Sequence, residues 1–263
     1  MIDLHSHLLP GLDDGPDTMD QSVAMARAAW QAGTLAMVCT PHMMQRFPTA
    51  PAAVHAGVAA LREQLRTADI PLELHGGGEI SLDHLHTMSD DDLAMACLGH
   101  GRWLLIEFPF RGWPLGLPDA LRDLEIRGFR VILAHPERAE AVQHTPDRLR
   151  DIIGRGALVQ VTADSFTGEN GPAAQRAALA LLAAGAAHFI ASDAHSAGPW
   201  RPPGIEEGLE AAARALRIEQ EALRWMVEDG PASVVEGRPV KPPHLMPSRR
   251  PRGGGHPAPA GPR

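Results

Sequence analysis

Several residue types are scarce in this chain of 263 residues, and each scarcity excludes a class of protein. There are two cysteines, Cys39 and Cys97, too few for a disulfide framework, which favours a reducing compartment. Acidic residues outnumber basic residues by 32 to 24, and the net charge of −8 disfavours general binding to nucleic acid. Lysine occurs once, as Lys241, and tyrosine is absent.

Long apolar segments are scarce as well. The longest apolar run, 177–187, has 11 residues, short of the ~18 residues that cross a bilayer. The first residues, from Met1 to His5, carry no basic segment ahead of an apolar stretch, so we expect no secretory signal. We therefore expect a soluble, cytoplasmic protein without a membrane span.

Spacing excludes two kinds of phosphate chemistry. A cysteine-dependent phosphatase needs an arginine six positions after its nucleophile, but those two positions hold Gln45 and Trp103. The glycines at 76–78 are not followed by the lysine of a nucleotide-binding loop. Any phosphate chemistry must therefore use other groups.

Short apolar runs alternate with helical stretches along residues 1–217. The seven runs are 2–5, 35–39, 72–75, 103–108, 131–134, 158–161 and 189–191. This alternation predicts an α/β fold of parallel strands, either a closed barrel or a doubly wound sheet, and seven units favour the barrel. Beyond Leu216 the pattern predicts extra C-terminal helices at 219–228 and 231–236 that cover an end or the open side of the barrel.

Composition changes after residue 241. Residues 242–263 contain seven prolines, four glycines, four arginines and no acidic residue, which predicts a disordered tail. The chain thus divides into a folded domain at 1–241 and a tail at 242–263. The folded domain has 20 basic and 32 acidic residues, a net charge of −12.

Histidines and carboxylates stand where the predicted strands end. In a barrel of parallel strands these ends meet at one face, which is the face that carries active sites. We therefore expect nine potential metal ligands to converge there: His5, His7, Asp14, His42, Glu79, Glu107, His135, Asp193 and His195.

Each of these side chains alone is a weak signal, but together they indicate bound metal ions. His5 and His7 lie on the same side of an extended strand, although a solvated loop is the ordinary explanation of such a pair on its own. Glu107 lies among apolar residues and Asp193 follows an apolar run, so each would be buried at a cost unless a cation compensates its charge. Metal ions would compensate both.

The donor set suits two or three ions that share a bridging carboxylate. Without a thiolate the set fits Mn, Fe or Zn. Metal-dependent amidohydrolase barrels often bridge their ions with a carboxylated lysine, but the sole lysine borders the tail, which leaves Glu79 as the candidate bridge. Three divalent ions among four carboxylates would give the site a charge of about +2, which attracts a phosphate dianion.

These ions also suit phosphate ester hydrolysis. They lower the pKa of bound water to about 7 and supply hydroxide for attack on phosphorus. Arg138 and Arg201 follow two of the ligand segments and are placed to clamp a phosphate through paired hydrogen bonds; a surface ion pair is the alternative for each arginine. The residues thus predict a metal-dependent phosphomonoesterase.

Ordered motifs of this sequence resemble the PHP (polymerase and histidinol phosphatase) superfamily. They are His-x-His at 5–7, Asp-Asp-Gly-Pro at 13–16, Thr-Pro-His at 40–42, Gly-x-Glu-Ile at 77–80, Leu-Ile-Glu at 105–107, Ala-His-Pro-Glu-Arg at 134–138 and Ser-Asp-Ala-His at 192–195. The resemblance covers about residues 1–235. More narrowly, the sequence is similar to the bacterial manganese-dependent protein-tyrosine phosphatases that accompany capsule and exopolysaccharide tyrosine kinases.

The resemblance implies a distorted (βα)7 TIM-like barrel with three divalent ions, manganese being the expected metal. Arg138 and Arg201 would bind the phosphate of a phosphotyrosine segment on a bacterial tyrosine kinase that regulates capsule or exopolysaccharide synthesis. The implied ligands form three groups: His5, His7, Glu79 and Asp193 for the first ion; Glu79, Glu107 and His135 for the second; Asp14, His42 and His195 for the third.

Three other functions stay open on the sequence. A small-molecule phosphatase of the same superfamily, acting on histidinol phosphate or a similar ester, would use the same ligands. An exonuclease is disfavoured by the acidic charge of the folded part. A metal-loaded regulatory scaffold without turnover is disfavoured by the complete ligand set.

Overall fold

The computed structural model describes residues 1–243, and every apolar run predicted from the sequence coincides with a strand there. The strands are β1 (Ile2–Ser6), β2 (Ala36–Cys39), β3 (His42–Met43), β4 (Glu73–Gly76), β5 (Glu79–Ser81), β6 (Trp103–Glu107), β7 (Arg130–Ala134), β8 (Leu158–Thr162) and β9 (Phe189–Ala191). All strand pairings within the two sheets are parallel, which confirms the predicted α/β class.

Helices occupy most of the connections between strands and the segment after β9. The α-helices of the described residues are α1 (Met19–Gln31), α2 (Pro51–Thr67), α3 (Asp90–Ala96), α4 (Leu117–Ile126), α5 (Glu140–His144), α6 (Arg150–Gly154), α7 (Ala163–Thr167), α8 (Pro172–Ala183), α9 (Glu206–Leu216) and α10 (Asp229–Val235). Short 3₁₀ helices lie at Leu85–Thr87, Pro136–Arg138, Pro146–Leu149 and Gln220–Met226.

Helix α1 illustrates how local sequence sets these elements. The Thr18 side chain accepts a hydrogen bond from the Gln21 N–H at 3.3 Å, and the Gln21 side chain accepts one from the Thr18 N–H at 3.1 Å. This reciprocal pair satisfies free N–H groups at the helix start. After the helix, Gly33 has a φ of +88°, a conformation that glycine adopts without strain.

The strands form two parallel sheets, ordered β1-β2-β4 and β3-β5-β6-β7-β8-β9. The division falls at Pro41, between β2 and β3, and at Gly77 and Gly78, between β4 and β5. Proline has no N–H to donate to a neighbouring strand, and glycine weakens a strand interior. Neither sheet closes on itself within residues 1–243, so the closed barrel is not confirmed.

Strands β1 and β9 belong to different sheets but lie side by side. Ser6 and Ala194 form an isolated parallel bridge. The buried Asp3 carboxylate accepts hydrogen bonds from the N–H of Ser192 at 3.1 Å and from its hydroxyl group. The segments that follow β1 and β9 are therefore held together.

Apolar side chains alternate between two buried clusters. Along β6, Leu104 and Ile106 pack in a large cluster with residues of the helices, whereas Leu105 packs in a smaller cluster with strand residues such as Leu4 and Phe189. This is the period of two that a strand imposes. Each fully buried side chain of this size contributes about 1.5–3 kcal/mol, so both faces of the strands stabilise the fold.

The C-terminal segment follows the prediction in part. Residues 231–236 fall largely in α10, but the predicted helix at 219–228 is a 3₁₀ helix, Gln220–Met226. Its buried residues, Leu223 and Met226, lie three positions apart, and the three-residue turn of a 3₁₀ helix places them on the same side. Every helix within residues 1–243 is too short or too polar to cross a bilayer. The predicted disordered tail, 242–263, lies outside the described residues from position 244 onward.

Candidate metal centre

The nine side chains predicted to bind metal all meet near the carboxyl ends of the strands. They lie in a strand, just beyond its end, or in the loop after β1. Four overlapping groups, each with donor atoms within 4.8 Å of one another, contain them all: His7, Asp14, His42 and His195; His5, His7 and Asp193; His5, Glu79 and His135; His42, Glu79 and Glu107. Which ions each residue holds stays a prediction.

Glu79 lies at the centre of this cluster and is fully buried. Its Oε2 lies 3.4 Å from Nε2 of both His5 and His7 and 2.9 Å from Nδ1 of His42. Its Oε1 lies 2.7 Å from Nε2 of His135. Burial alone would raise the pKa of Glu79, but the charges of the surrounding imidazoles lower it well below its usual range. Both carboxylate oxygens of Glu79 thus face imidazole nitrogens.

Asp193 is a second fully buried carboxylate. Its Oδ1 lies 3.3 Å from Nε2 of both His5 and His7, and its N–H donates to the His5 carbonyl at 2.9 Å. Burial alone would raise the pKa of Asp193, but the charges of His5 and Arg201 help to hold it well below its usual range. Asp193 therefore stays anionic on the side of the cluster nearest β1.

Asp14, His42 and His195 form the more exposed side of the cluster. Oδ1 of Asp14 lies 3.5 Å from Nε2 of His42 and 3.3 Å from Nε2 of His195, and the Asp14 side chain is 39% exposed. The hydrogen bond with His195 lowers the pKa of Asp14, and burial, helped by the charge of His7, lowers the pKa of His195 to about 4. A neutral imidazole beside a carboxylate is the form that binds metal.

Glu107, at the end of β6, extends the cluster beyond Glu79. Burial, reinforced by the charge of Glu79, raises the pKa of Glu107 to about 7. One carboxylate oxygen of Glu107 lies within 4.8 Å of one of Glu79, and two carboxylates at this distance repel each other. A cation between them would remove that repulsion and keep both ionised.

Two buried carboxylate oxygens test whether metal fits these residues. Oε2 of Glu79 and Oδ1 of Asp193 accept no well-formed hydrogen bond from any described residue. A buried anionic oxygen without a well-formed hydrogen bond is costly. Imidazole nitrogens and carboxylate oxygens without a thiolate are the donors that Mn, Fe and Zn accept, so the residues present fit the expected group.

Three site residues have backbone conformations that are rare outside glycine. His135, Asp193 and Arg201 have φ values of +33°, +54° and +49°. Such a residue costs about 1–3 kcal/mol and persists only when its surroundings hold it in place. His135 directly follows β7 and Asp193 follows β9 by two residues, so the strained turns set the direction in which these side chains point.

The residues that orient the candidate ligands are not among those predicted from the sequence. Oδ2 of Asp13 lies 2.6 Å from Nδ1 of His7 and accepts a hydrogen bond from the N–H of His42 at 2.9 Å. Oε1 of Gln160 lies 3.0 Å from Nδ1 of His5. A partner on Nδ1 fixes the ring and leaves Nε2 for a metal ion. The available signal was a glutamine inside the apolar run 158–161 and a second aspartate beside Asp14.

Glu137, also missed, supports the turn that carries His135 and Arg138. Its Oε1 accepts hydrogen bonds from the Thr162 N–H at 3.0 Å and the Ser165 hydroxyl at 2.7 Å. Burial raises the pKa of Glu137 to about 7. These bonds tie the turn after β7 to the end of β8.

Arg138 and Arg201 both reach the cluster. Nη1 of Arg138 donates to Oδ2 of Asp193 at 2.9 Å. Arg201 also pairs with this oxygen, and its Nη1 lies 2.8 Å from Nε2 of His195. Their side chains are 23% and 19% exposed. Both guanidinium groups therefore contact the cluster from its partly exposed side.

A family model for capsular polysaccharide synthesis, CpsB/CapC, matches residues 1–236. The chain belongs to the CpsB/CapC family. Its relatives include the tyrosine-protein phosphatase YwqE of Bacillus subtilis, 36% identical over 200 residues that cover 74% of this chain and 78% of YwqE. The tyrosine-protein phosphatase CpsB of Streptococcus pneumoniae is 27% identical over 243 residues that cover 89% of this chain and 98% of CpsB.

A solved structure agrees with membership of the CpsB/CapC family. One study of YwqE from Bacillus subtilis and CpsB from Streptococcus pneumoniae describes them as unique metal-dependent tyrosine phosphatases; its matching chain has a TM-score of 0.82 and 30% identity, covering 95% of this chain and 100% of that one. The lactonase Lmo2620 of Listeria monocytogenes, with a TM-score of 0.56 and 11% identity over 90% of this chain and 95% of its own, shares the fold alone. The resemblance to metal-dependent tyrosine phosphatases is thereby confirmed.

Proposed function

We propose that this CpsB/CapC family member is a metal-dependent protein-tyrosine phosphatase. Its substrate would be phosphotyrosine on a bacterial tyrosine kinase that regulates capsule or exopolysaccharide synthesis. One observation carries the proposal: nine potential metal ligands and two arginines converge at one site. The names of YwqE and CpsB as tyrosine-protein phosphatases support it.

The cluster would hold three divalent ions, with manganese as the expected metal and Fe or Zn as alternatives. Ions bound there would polarise a phosphate and lower the pKa of a water molecule for attack on phosphorus. The ligand groups implied by the superfamily resemblance overlap with the four groups of close donors. Glu79 would bridge two ions, since its two oxygens face different imidazoles.

The arginines would bind the non-bridging oxygens of the phosphate. Arg138 and Arg201 already share one carboxylate oxygen of Asp193, so their guanidinium groups converge at a distance that suits one small anion. The four carboxylates of the cluster repel that anion in the absence of cations. Phosphate binding should therefore depend on metal.

We further propose that residues 1–241 form one phosphatase domain with a distorted (βα)7 barrel. The bridge between Ser6 and Ala194 and the hydrogen bonds of Asp3 across the β1–β9 junction support closure at this point. We also propose action in the cytoplasm, which the free, buried thiols of Cys39 and Cys97 support.

The test is a comparison of phosphoesters with the full chain, first stripped of metal with a chelator and then reloaded with Mn(II). We expect kcat/KM for a phosphotyrosine peptide to exceed that for histidinol phosphate, and activity to vanish in the chelated protein. Preference for histidinol phosphate would make the protein a small-molecule phosphatase. Digestion of single-stranded DNA would point to an exonuclease, and no turnover in the metal-loaded protein would point to a scaffold.

A further inference from the structure

Three aromatic side chains surround the cluster on loops that follow strands. Phe47 follows β3, Phe110 follows β6 and Trp200 follows β9. Each contacts a candidate metal ligand: Phe47 stacks on His42 and Phe110 on His135, both with ring centroids 5.7 Å apart, and Trp200 meets His195 edge to face at 5.5 Å. We call Phe47, Phe110 and Trp200 the aromatic rim.

Two members of the rim are also paired with the arginines of the site. The Arg138 guanidinium lies 5.0 Å from the centroid of Phe110, and that of Arg201 lies 5.6 Å from the centroid of Trp200. Because both guanidinium groups meet at Asp193, Phe110 and Trp200 lie beside the point where a phosphate would bind. The group attached to that phosphate would then lie near their rings.

Phe110 and Trp200 stay exposed although their loops are fixed. The loop that carries Phe110 is anchored by the buried Phe108, which packs edge to face on Trp113 at 5.6 Å. Its backbone is held by a hydrogen bond from the Glu140 N–H to the Phe110 carbonyl at 2.9 Å. Phe110 nevertheless remains 43% exposed. Its ring is therefore held at the surface of the site by a loop whose other aromatic residues form the anchor.

The Trp200 loop is fixed in a similar way. The N–H of His195 donates to the Arg201 carbonyl at 2.9 Å, and the Ser196 hydroxyl donates to the Trp200 carbonyl. Trp200 is 57% exposed and lines a cavity of about 350 Å³ together with Asp14 and His195. An exposed indole at the edge of a cavity is suited to stacking against a planar group.

We propose that Phe110 and Trp200 determine specificity by receiving the phenyl ring of phosphotyrosine, an inference that rests on the proposed phosphatase function. In phosphotyrosine a flat ring separates the phosphate from the peptide backbone, so the ring lies at the depth of the rim when the phosphate contacts the arginines. Phosphoserine has one methylene group at that depth and gains nothing from aromatic stacking. Phe110 and Trp200 would thus favour aryl over alkyl phosphates.

The test compares Phe110→Ala and Trp200→Ala with the wild-type full chain loaded with Mn(II). We expect kcat/KM for a phosphotyrosine peptide to fall about tenfold in each variant, equivalent to about 1.4 kcal/mol. Turnover of a phosphoserine peptide of the same sequence, the inhibition constant of inorganic phosphate and the manganese content should stay within about twofold of wild type. Binding of a peptide with a non-hydrolysable phosphonate analogue of phosphotyrosine, measured by calorimetry, should weaken in parallel with kcat/KM.

Two kinds of variant serve as controls. Leu115→Ala removes an 85% exposed apolar side chain near Phe110 in the chain, and it should change none of these quantities. Phe110→Tyr and Trp200→Phe keep a ring and should retain most of the activity towards phosphotyrosine.

The outcomes separate this inference from the proposed function. If the wild type prefers the phosphotyrosine peptide and the alanine variants keep that preference, Phe110 and Trp200 do not determine specificity. The phosphatase proposal then stands. If phosphate inhibits the variants more weakly, or if their manganese content falls, together with phosphotyrosine turnover, the rings only support the imidazoles and arginines. The inference is then wrong. If the wild type shows no preference for phosphotyrosine, both proposals fail.

Discussion

Substitution of Glu79 by glutamine is the sharpest single perturbation of this site. Glutamine keeps the size and shape of the side chain but removes the charge that faces the imidazoles of His5, His7, His42 and His135 at 2.7–3.4 Å. The change therefore tests the bridging charge and not the packing. We expect a folded protein, judged by cooperative thermal unfolding of the metal-free variant beside the metal-free wild type.

The expected magnitude follows from the two ions that Glu79 would bridge. A hydrogen bond to a charged group contributes about 1.5–3 kcal/mol, and we assign the same magnitude to each contact of the carboxylate with an ion. Because the bridging carboxylate serves both ions, glutamine should cost about 3–6 kcal/mol, a loss of roughly 10²–10⁴-fold in kcat/KM at about 1.4 kcal/mol per tenfold. Manganese content, measured on the dialysed protein by elemental analysis, should fall at the same time.

The control is Glu125→Gln, which removes a carboxylate from the exposed surface of α4. It should leave kcat/KM, metal content and unfolding temperature unchanged. If Glu79→Gln keeps its full metal content and near-normal turnover, the bridging role of Glu79 is wrong.

Three further changes test the surroundings of the cluster and the core of the fold. Asp13→Asn should lower manganese affinity by about 10–100-fold because it weakens the hydrogen bond that orients His7. Titration of the metal-free protein with manganese measures this affinity. An unchanged affinity would show that Asp13 does not orient a metal ligand. Arg138→Ala should raise KM for a phosphotyrosine peptide and the inhibition constant of phosphate by about 10–100-fold, because a charge-assisted hydrogen bond is lost. Loss of metal with unchanged phosphate binding would contradict the phosphate-binding role of Arg138. Burial lowers the pKa of His188 from 6.5 to about 4. The unfolded chain therefore binds a proton at this residue before the folded protein does, so the free energy of unfolding is unaffected above pH ~6.5 and falls by about 1.4 kcal/mol per pH unit as pH drops towards 4. His188→Asn keeps an acceptor for the Val159 N–H and should flatten this part of the stability profile in denaturant unfolding; an identical slope in both proteins would refute the assignment.

The positions of the seven apolar strands and the convergence of the nine candidate ligands could be predicted from the sequence. Strand periodicity and helix signals are local properties of the sequence. Seven consecutive strand–helix units restrict the possible topologies to a few. Glu107 and Asp193 were identifiable because a carboxylate beside a buried apolar run needs a cation. Parallel strands then place their carboxyl ends at one edge, which brings residues as distant as His5 and His195 together.

What the sequence did not reveal depends on contacts between distant segments. Gln160 contacts His5 across 155 positions, and neither residue predicts the other. Asp13 and Asp14 are neighbours with different roles: Asp13 faces His7 and the backbone of His42, whereas Asp14 faces the imidazoles of the exposed side. Only the path of the loop after β1 separates these two roles.

The sequence also did not predict that the strands divide into two sheets. The predicted runs 35–39 and 72–75 end before Pro41 and before the glycines at 77 and 78, but β3 and β5 resume the parallel pairing beyond them, with Glu79 opposite His42. Whether a chain turns away or continues after such a break depends on its neighbours. Here the continuation places two candidate ligands in register.

Anomalous diffraction from crystals of the manganese-loaded protein tests the central claim most directly, since it locates the ions without reference to activity. We predict manganese peaks among the nine side chains, with one carboxylate, Glu79, in contact with two of them. Crystals that contain manganese elsewhere, or none between these side chains, would contradict the claim that the strand ends form a metal centre.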